Sequence, residues 1–326
     1  MTIKECSKEN LRFIEVSNDS KLKVVFSDLG ASIYQIYFDD VLMTRNAMEI
    51  KDFKNIGCYY GKTIGRTTNR LKGYRFEING EIYSLEPNEG NNVLHGGING
   101  LSTKRFASNI STYNDHIEVI YVYHSGHLEA GYPGNVDITV TYFIYSDNDR
   151  LEVSYEATSD MDTLFSLTNH SYFTLGEKDL STLDLFIRAH KYIKPNPEDL
   201  IPVSVDEVNE VFDFTKFKNI NKDIEDPSLK GSRLNGYDHY FYFDDVSSGF
   251  INVSLLGQKY RLDISTNFPG TQIYTSNYLA PFKLEGEVNY IRDSVAIEPS
   301  DPFDKYPVLL KNTRYSRRII YSFKEL

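Results

Sequence analysis

Residues 136–157 read VDITVTYFIYSDNDRLEVSYEA. Val136, Ile138, Val140, Tyr142 and Ile144 recur at every second position, the chain turns through the polar stretch from Asp147 to Asp149, and alternation resumes at Leu151, Val153 and Tyr155. A period of two collects those side chains on one face of a strand, whereas a helix would scatter them around its circumference. The stretch therefore predicts an antiparallel hairpin with one face against a core.

The same pattern extends along the chain. In GYRFEINGEIYSL (73–85) the Asn79-Gly80 pair supplies the two positive-φ residues of a tight hairpin turn, setting Phe76 opposite Tyr83 and Tyr74 opposite Leu85. INVSLLGQKYRLDIS (251–265) reads as a further hairpin around Gly257. Single strands are expected at Lys23–Phe26, Ile117–Tyr123, Tyr240–Phe243, Gln272–Ser276 and Arg317–Phe323. Tyrosine (25) and phenylalanine (20) are abundant while tryptophan is absent, and the aromatics sit among Val, Ile and Thr, which suits half-buried pleated surfaces. Only PVSVDEVNEVFDF (202–214) offers a helical turn or two. The expected fold is all-β: a large antiparallel sandwich of two sheets packed face to face, with few short helices. No Pro- or Gly-rich linker divides the chain and the longest irregular stretch spans about 191–235, so residues 1–326 are expected to form one domain.

Composition narrows the function classes. The chain has 326 residues with 40% hydrophobic content, enough for a sizeable core. Lys and Arg number 35 against 46 acids, a formal charge of −11, and no basic stripe tracks a phosphate backbone, so nucleic acid and anionic membranes are not expected partners. The start, MTIKECSKENLRF, lacks the apolar core of a signal peptide, and no run of about eighteen apolar residues occurs. A soluble, cytoplasmic protein is expected. Cys6 and Cys58 match no metal spacing and are expected to be reduced thiols.

Several polar stretches interrupt the β pattern: GRTTNR (65–70), NNVLHGG (91–97), FSLTNHSYFTL (165–175), GYDHYF (236–241) and AIEPS (296–300). Taken singly, each has an ordinary explanation. Arg66 or Arg70 reads as a solvated surface charge, His95 and Asp238 as turn residues, and His170 as either a core histidine satisfied by its neighbours or a catalytic group on a rigid strand. Glu298 is harder to dismiss, because it follows an apolar strand ending and precedes Pro299; a carboxylate there needs a partner or a function. His116, His124, His127 and His190 lie in polar loops or at strand edges and are assigned no role.

Together these stretches carry more. GRTTNRLKGYRFEINGEIYSLEPNEGNNVLHGG, GYPG (131–134), LTNHSYFTL, GYDHYF, NFPGTQIYTSNYL (267–279) and AIEPSDPFDKYP (296–307) resemble the aldose 1-epimerase (galactose mutarotase) family in order and approximate spacing, from about residue 20 to the C-terminus. The resemblance implies the galactose mutarotase-like supersandwich, with His170 as general acid and Glu298 as general base. It also implies sugar-hydroxyl contacts at Asn69, Arg70, His95, Asp238 and Gln272. Ser300 stands where the family usually has Gln, Phe106 where it usually has Trp, and PFDKYP matches the usual ending only loosely. Asn169 is expected to support the strand before serving as a ligand.

The implied chemistry agrees with the residue types. Interconverting α and β hemiacetals requires taking the C1 hydroxyl proton while protonating the ring oxygen, so that the ring opens, rotates and recloses on the other face. One carboxylate and one imidazole, on opposite sides of the ring, suffice. Arg70 would offer a fork of donors and Asp238 a pure acceptor. No cofactor or metal is expected, and the partner is a free aldose such as galactose or glucose, bound by a monomer or homodimer. Three other readings compete: a glycoside hydrolase using Asp238 and Glu298, a non-catalytic sugar-binding module, and a mutarotase of phosphorylated sugars, which would call for basic side chains at the mouth of the site.

Overall fold

The computed structural model describes residues 1–246, 249–284 and 291–326. Its largest sheet has nine strands, with the hairpin Val136–Tyr145 and Arg150–Ser159 near the middle and the C-terminal strand Arg314–Glu325 beside it. The alternation that predicted this hairpin is the alternation of its burial: Val136, Ile138, Val140, Tyr142 and Ile144 are all fully enclosed, and Tyr142 faces Val153 in register. The Asn79-Gly80 turn also forms as expected, with φ of 55° and 82°, and Phe76 pairs with Tyr83 at a ring separation of 5.6 Å. Strands Val253–Leu256 and Tyr260–Thr266 make the third hairpin.

Two further sheets cover one face of the nine-stranded sheet. A five-stranded sheet runs in sequence order from Thr2–Lys8 to Val41–Leu42, and a seven-stranded sheet is assembled from distant segments in the order 202–207, 191–195, 238–242, 270–274, 295–300, 172–173 and 44–45. Phe26 of the five-stranded sheet packs on Tyr142 at 4.7 Å, and Phe173 of the seven-stranded sheet on Tyr321 at 5.6 Å. One large apolar cluster accordingly holds residues of all three sheets, among them Val24, Ile273 and Ile319.

Two expectations need correction. Residues 202–214 form no helix: Pro202–Glu207 is a strand on the edge of the seven-stranded sheet, paired with Lys191–Pro195, and Asn209 then caps a turn by accepting the amide of Val211. The β-branched Val203 and Val205 suit an edge strand, and sheet hydrogen bonds prevail over the weak helical pattern. The span 191–235 is correspondingly not irregular, since it holds those two strands and the short strand Lys218–Asn219. Among the described residues the only α-helix is Ile50–Phe53, and none is long and apolar enough to cross a membrane.

Candidate active site

The seven-stranded sheet alternates like the hairpin, but with chemistry on its outer face. In Gly270–Tyr274 the side chain of Ile273 enters the core while Gln272 and Tyr274 face the other way; in Val295–Ser300, Ile297 enters the core and Glu298 faces outward, directly opposite Gln272 in register. Asp238 opens the adjoining strand on the same side, where its carboxylate accepts from Gln272 Nε2. Glu298 was expected where a strand leaves the core. It lies within a strand whose six residues are all buried, and the Pro299 carbonyl beside it accepts from the Thr168 hydroxyl at 2.8 Å.

His170 sits between two short strands, Thr168–Asn169 and Tyr172–Phe173. Its backbone is clamped on both sides, its amide donating to the Lys62 carbonyl at 3.0 Å and its carbonyl accepting from the Gly61 amide at 2.8 Å. Asn169 strengthens that clamp by donating to the Gly61 carbonyl at 2.8 Å, a structural contact in keeping with its expected supporting role. Tyr172 stacks on the imidazole at 4.9 Å.

Asn69, Arg70 and His95 come from loops folded over this face. The two-residue ladder of Arg70–Leu71 with Val93–Leu94 ends in left-handed residues on both sides, Asn69 at φ 51° and His95 at φ 54°. The His95 amide donates to the Asn69 carbonyl, and the Asn69 amide donates to His95 Nδ1 at 3.2 Å. His95 is thus a turn residue as well as a site residue. Gly96 is required beside it, because a Cβ there would lie 2.0 Å from the Gly65 carbonyl oxygen.

All seven candidate residues line one cavity of about 440 Å³. At its floor His170 Nε2 stands 3.5 Å from Glu298 Oε1. The two had been expected on opposite sides of a sugar ring; the structure sets them side by side. That arrangement still serves the chemistry, because the C1 hydroxyl and the ring oxygen are both bonded to C1 and an adjacent acid and base reach both. Burial drives the two groups in opposite directions, pushing the imidazole down to about 3 and the Glu298 carboxyl well above the usual carboxylate range, the latter aided by Asp238 and opposed by Arg70. Burial also raises Asp238, against the pull of Arg70, and holds His95 well below the ordinary imidazole value.

Arg70 is not the surface charge its composition suggested. It is largely buried in the cavity wall, and its Nε and Nη2 donate to the two oxygens of Glu89 at 2.7 and 3.1 Å. The fork expected to meet the sugar is therefore largely engaged by protein, leaving Nη1 between Asn69 Oδ1 at 3.3 Å and Asp238 Oδ2 at 3.7 Å. Arg66 is buried too, but outside this cavity, donating to the carbonyls of Ser125, Gly126, Pro133 and Gly134. Its part is to hold the GYPG turn.

Sequence reasoning passed over Glu89, Arg233 and the tyrosines Tyr59, Tyr172, Tyr274 and Tyr278, which also line the cavity. Glu89 lay inside the quoted NEGNNVLHGG but reads as an exposed loop acid, and Arg233 falls in the stretch taken as irregular. Phe106 is in the main core and Ser300 gives its carbonyl to Tyr240, so neither departure from the family pattern falls on the cavity wall. His116, His124 and His190 pair with acids elsewhere on the surface, and His127 accepts the Gly134 amide. Cys6 and Cys58 are free thiols.

His95, His170 and Glu298 offer ligand atoms within 4.8 Å of one another, the raw material of a metal site. The Asn69 amide, however, donates to His95 Nδ1, which leaves the ring proton on Nε2 and makes that end a donor. A metal ion would need the lone pair there, so the trio suits a sugar oxygen better than a cation.

A buried imidazole beside a buried carboxyl lines a polar cavity on a large antiparallel β-sandwich, and the proteins this chain is similar to are carbohydrate epimerases. The family model for aldose 1-epimerase matches residues 12–322. The chain belongs to the aldose 1-epimerase family. It is 31% identical over 279 residues to the aldose 1-epimerase of Haemophilus influenzae, covering 82% of this chain and 80% of that one. It is 33% identical over 244 residues to the galactose mutarotase of Sus scrofa, covering 71% and 66%. Among solved structures it superposes on galactose 1-epimerase from Lactobacillus acidophilus with a TM-score of 0.88 at 26% identity, over 99% of this chain and 98% of that one.

Proposed function

We propose that the protein interconverts the α and β anomers of a free aldohexose such as galactose or glucose, in the cytoplasm. The observation that carries this reading is the 3.5 Å approach of His170 Nε2 to Glu298 Oε1 in a cavity lined also by Asn69, Arg70, His95, Asp238 and Gln272. Glu298 takes the proton of the C1 hydroxyl while His170 gives one to the ring oxygen, and the C1–O5 bond breaks to leave the open-chain aldehyde. After rotation about C1–C2 the same two groups act in reverse, and the ring recloses on the other face. The pair needs one proton between them: imidazolium with carboxylate before opening, imidazole with carboxylic acid after it. Opposed burial shifts keep one proton on the pair over a wide pH range and, in the empty cavity, place it on Glu298, so ring opening draws on the less populated imidazolium–carboxylate tautomer of the same one-proton pair. Asp238, held by Gln272 and facing Arg70, accepts ring hydroxyls, as does Asn69 Oδ1; Arg70 and His95 donate to others. Orientation together with an acid and a base, each contributing about 10²–10⁴-fold, is enough for a reaction that already proceeds in water.

Polarimetry of freshly dissolved α-galactose, α-glucose and α-xylose, with and without the protein, tests the reading and ranks the sugars. Failure to accelerate any of the three would overturn it. The hydrolase alternative predicts instead release from chromogenic glycosides, and it leaves His170 and His95 without a part.

A further inference from the structure

We infer that Glu89 is a positioning residue of the site, fixing the Arg70 guanidinium and joining it through Arg233 to the 232–233 segment that lines the cavity, so that Arg70 meets the ligand with Nη1 alone. This rests on the proposal that a sugar occupies the cavity. Glu89 Oε2 accepts from Arg70 Nε at 2.7 Å, while Oε1 accepts from Arg70 Nη2 at 3.1 Å and from Arg233 Nη2 at 2.8 Å. A guanidinium bonded along one edge cannot turn about its own plane, so the opposite nitrogen has a set direction.

The carboxylate is itself firmly mounted. Glu89 and Asn92 exchange backbone hydrogen bonds at 3.2 and 3.0 Å, and the neighbouring Asn88 side chain donates to the Leu94 carbonyl at 3.0 Å and accepts from the Leu94 amide at 2.7 Å. The loop carrying Glu89 is therefore built onto the strand that ends at His95. Asn69 Oδ1, Arg70 Nη1 and Asp238 then lie as acceptor, donor, acceptor along the wall, a pattern that suits two adjacent ring hydroxyls. Glu89 also has an electrostatic part. Without it Arg70 would have Asp238, 3.7 Å away, as its nearest carboxylate and would turn onto the very group meant to accept hydroxyls.

The test uses Glu89→Gln, Glu89→Asp and Glu89→Ala in the full chain, with circular dichroism and thermal melting to establish folding. A contact with ring hydroxyls that is equal in ground and transition states predicts that Glu89→Gln raises KM by about 10- to 100-fold, with turnover changed by less than about 3-fold. Glu89→Asp should recover part of that loss, and formate added to Glu89→Ala should lower KM by seating a carboxylate between the two guanidinium groups; a purely structural role would give neither result. An unchanged KM in folded Glu89→Gln overturns the inference, as does a loss confined to turnover. So does a pair of Asp and Ala variants that are equally impaired and indifferent to formate. Calorimetric titration with galactose and glucose reads the same variants independently of catalysis. A wild-type protein that binds sugar without accelerating mutarotation would thus defeat the proposed function and leave Glu89 still open to test.

Discussion

At the scale of single residues, burial decides the chemistry. His170 and Glu298 are ordinary titratable groups until the sheet encloses them, after which both favour their neutral forms. Replacing Glu298 by Gln should lower turnover by about 10²–10⁴-fold while sparing sugar affinity, read by polarimetry beside calorimetric binding. The pH dependence has a definite sign. Because the carboxyl is raised well above the usual carboxylate range and the imidazole lowered to about 3, the pair carries a single proton between those two values, and turnover should fall as pH rises through the elevated Glu298 value and, at the acid end, only near 3. A pH–turnover profile already declining in the ordinary carboxylate range would contradict this. Arg66 makes a stability prediction instead. Arg66→Ala strands several buried carbonyls and should cost about 3–5 kcal/mol in denaturant unfolding. Residue types in their motifs marked seven residues that the structure brings to one cavity, among them the proposed acid and base. Glu89 and Arg233 escaped notice because nothing local in a loop acid or a loop arginine says that the two will meet across 144 positions of sequence.

At the scale of elements, turns do the positioning. Gly80 and Gly96 both have positive φ, yet their surroundings differ: a Cβ on Gly80 would meet nothing within 4 Å, whereas one on Gly96 would collide with the Gly65 carbonyl. Gly80→Ala should therefore cost about 1 kcal/mol, the backbone penalty alone, with activity intact. Gly96→Ala should be markedly more destabilising and should also raise KM, since the ladder that carries Asn69 and His95 must shift. Urea unfolding and steady-state kinetics on the two variants check the contrast. The hairpins were legible because alternation and turn residues are local signals. The stretch 202–214 was misread because its fate depended on a neighbouring strand, Lys191–Pro195, that supplies the hydrogen bonds.

At the scale of the whole molecule, the apolar cluster shared by all three large sheets predicts that they unfold together. Scanning calorimetry should give one transition with matching calorimetric and van't Hoff enthalpies; two resolved transitions would mean that the sheets separate. The sheet that carries Glu298 and flanks His170 draws its seven strands from positions between 44 and 300, so the candidate site exists only when the core has formed. The sequence by itself determined the β architecture and the register of the Asn79-Gly80 hairpin, and it singled out the candidate acid and base, because period-two patterning, turn chemistry and motif spacing are written locally. Tertiary structure alone decided three things: that His170 and Glu298 stand side by side, that the Arg70 fork is engaged by Glu89, and that Arg66 belongs to the scaffold. Each depends on which distant groups share a low-dielectric enclosure, a property of the packed chain that no local stretch contains.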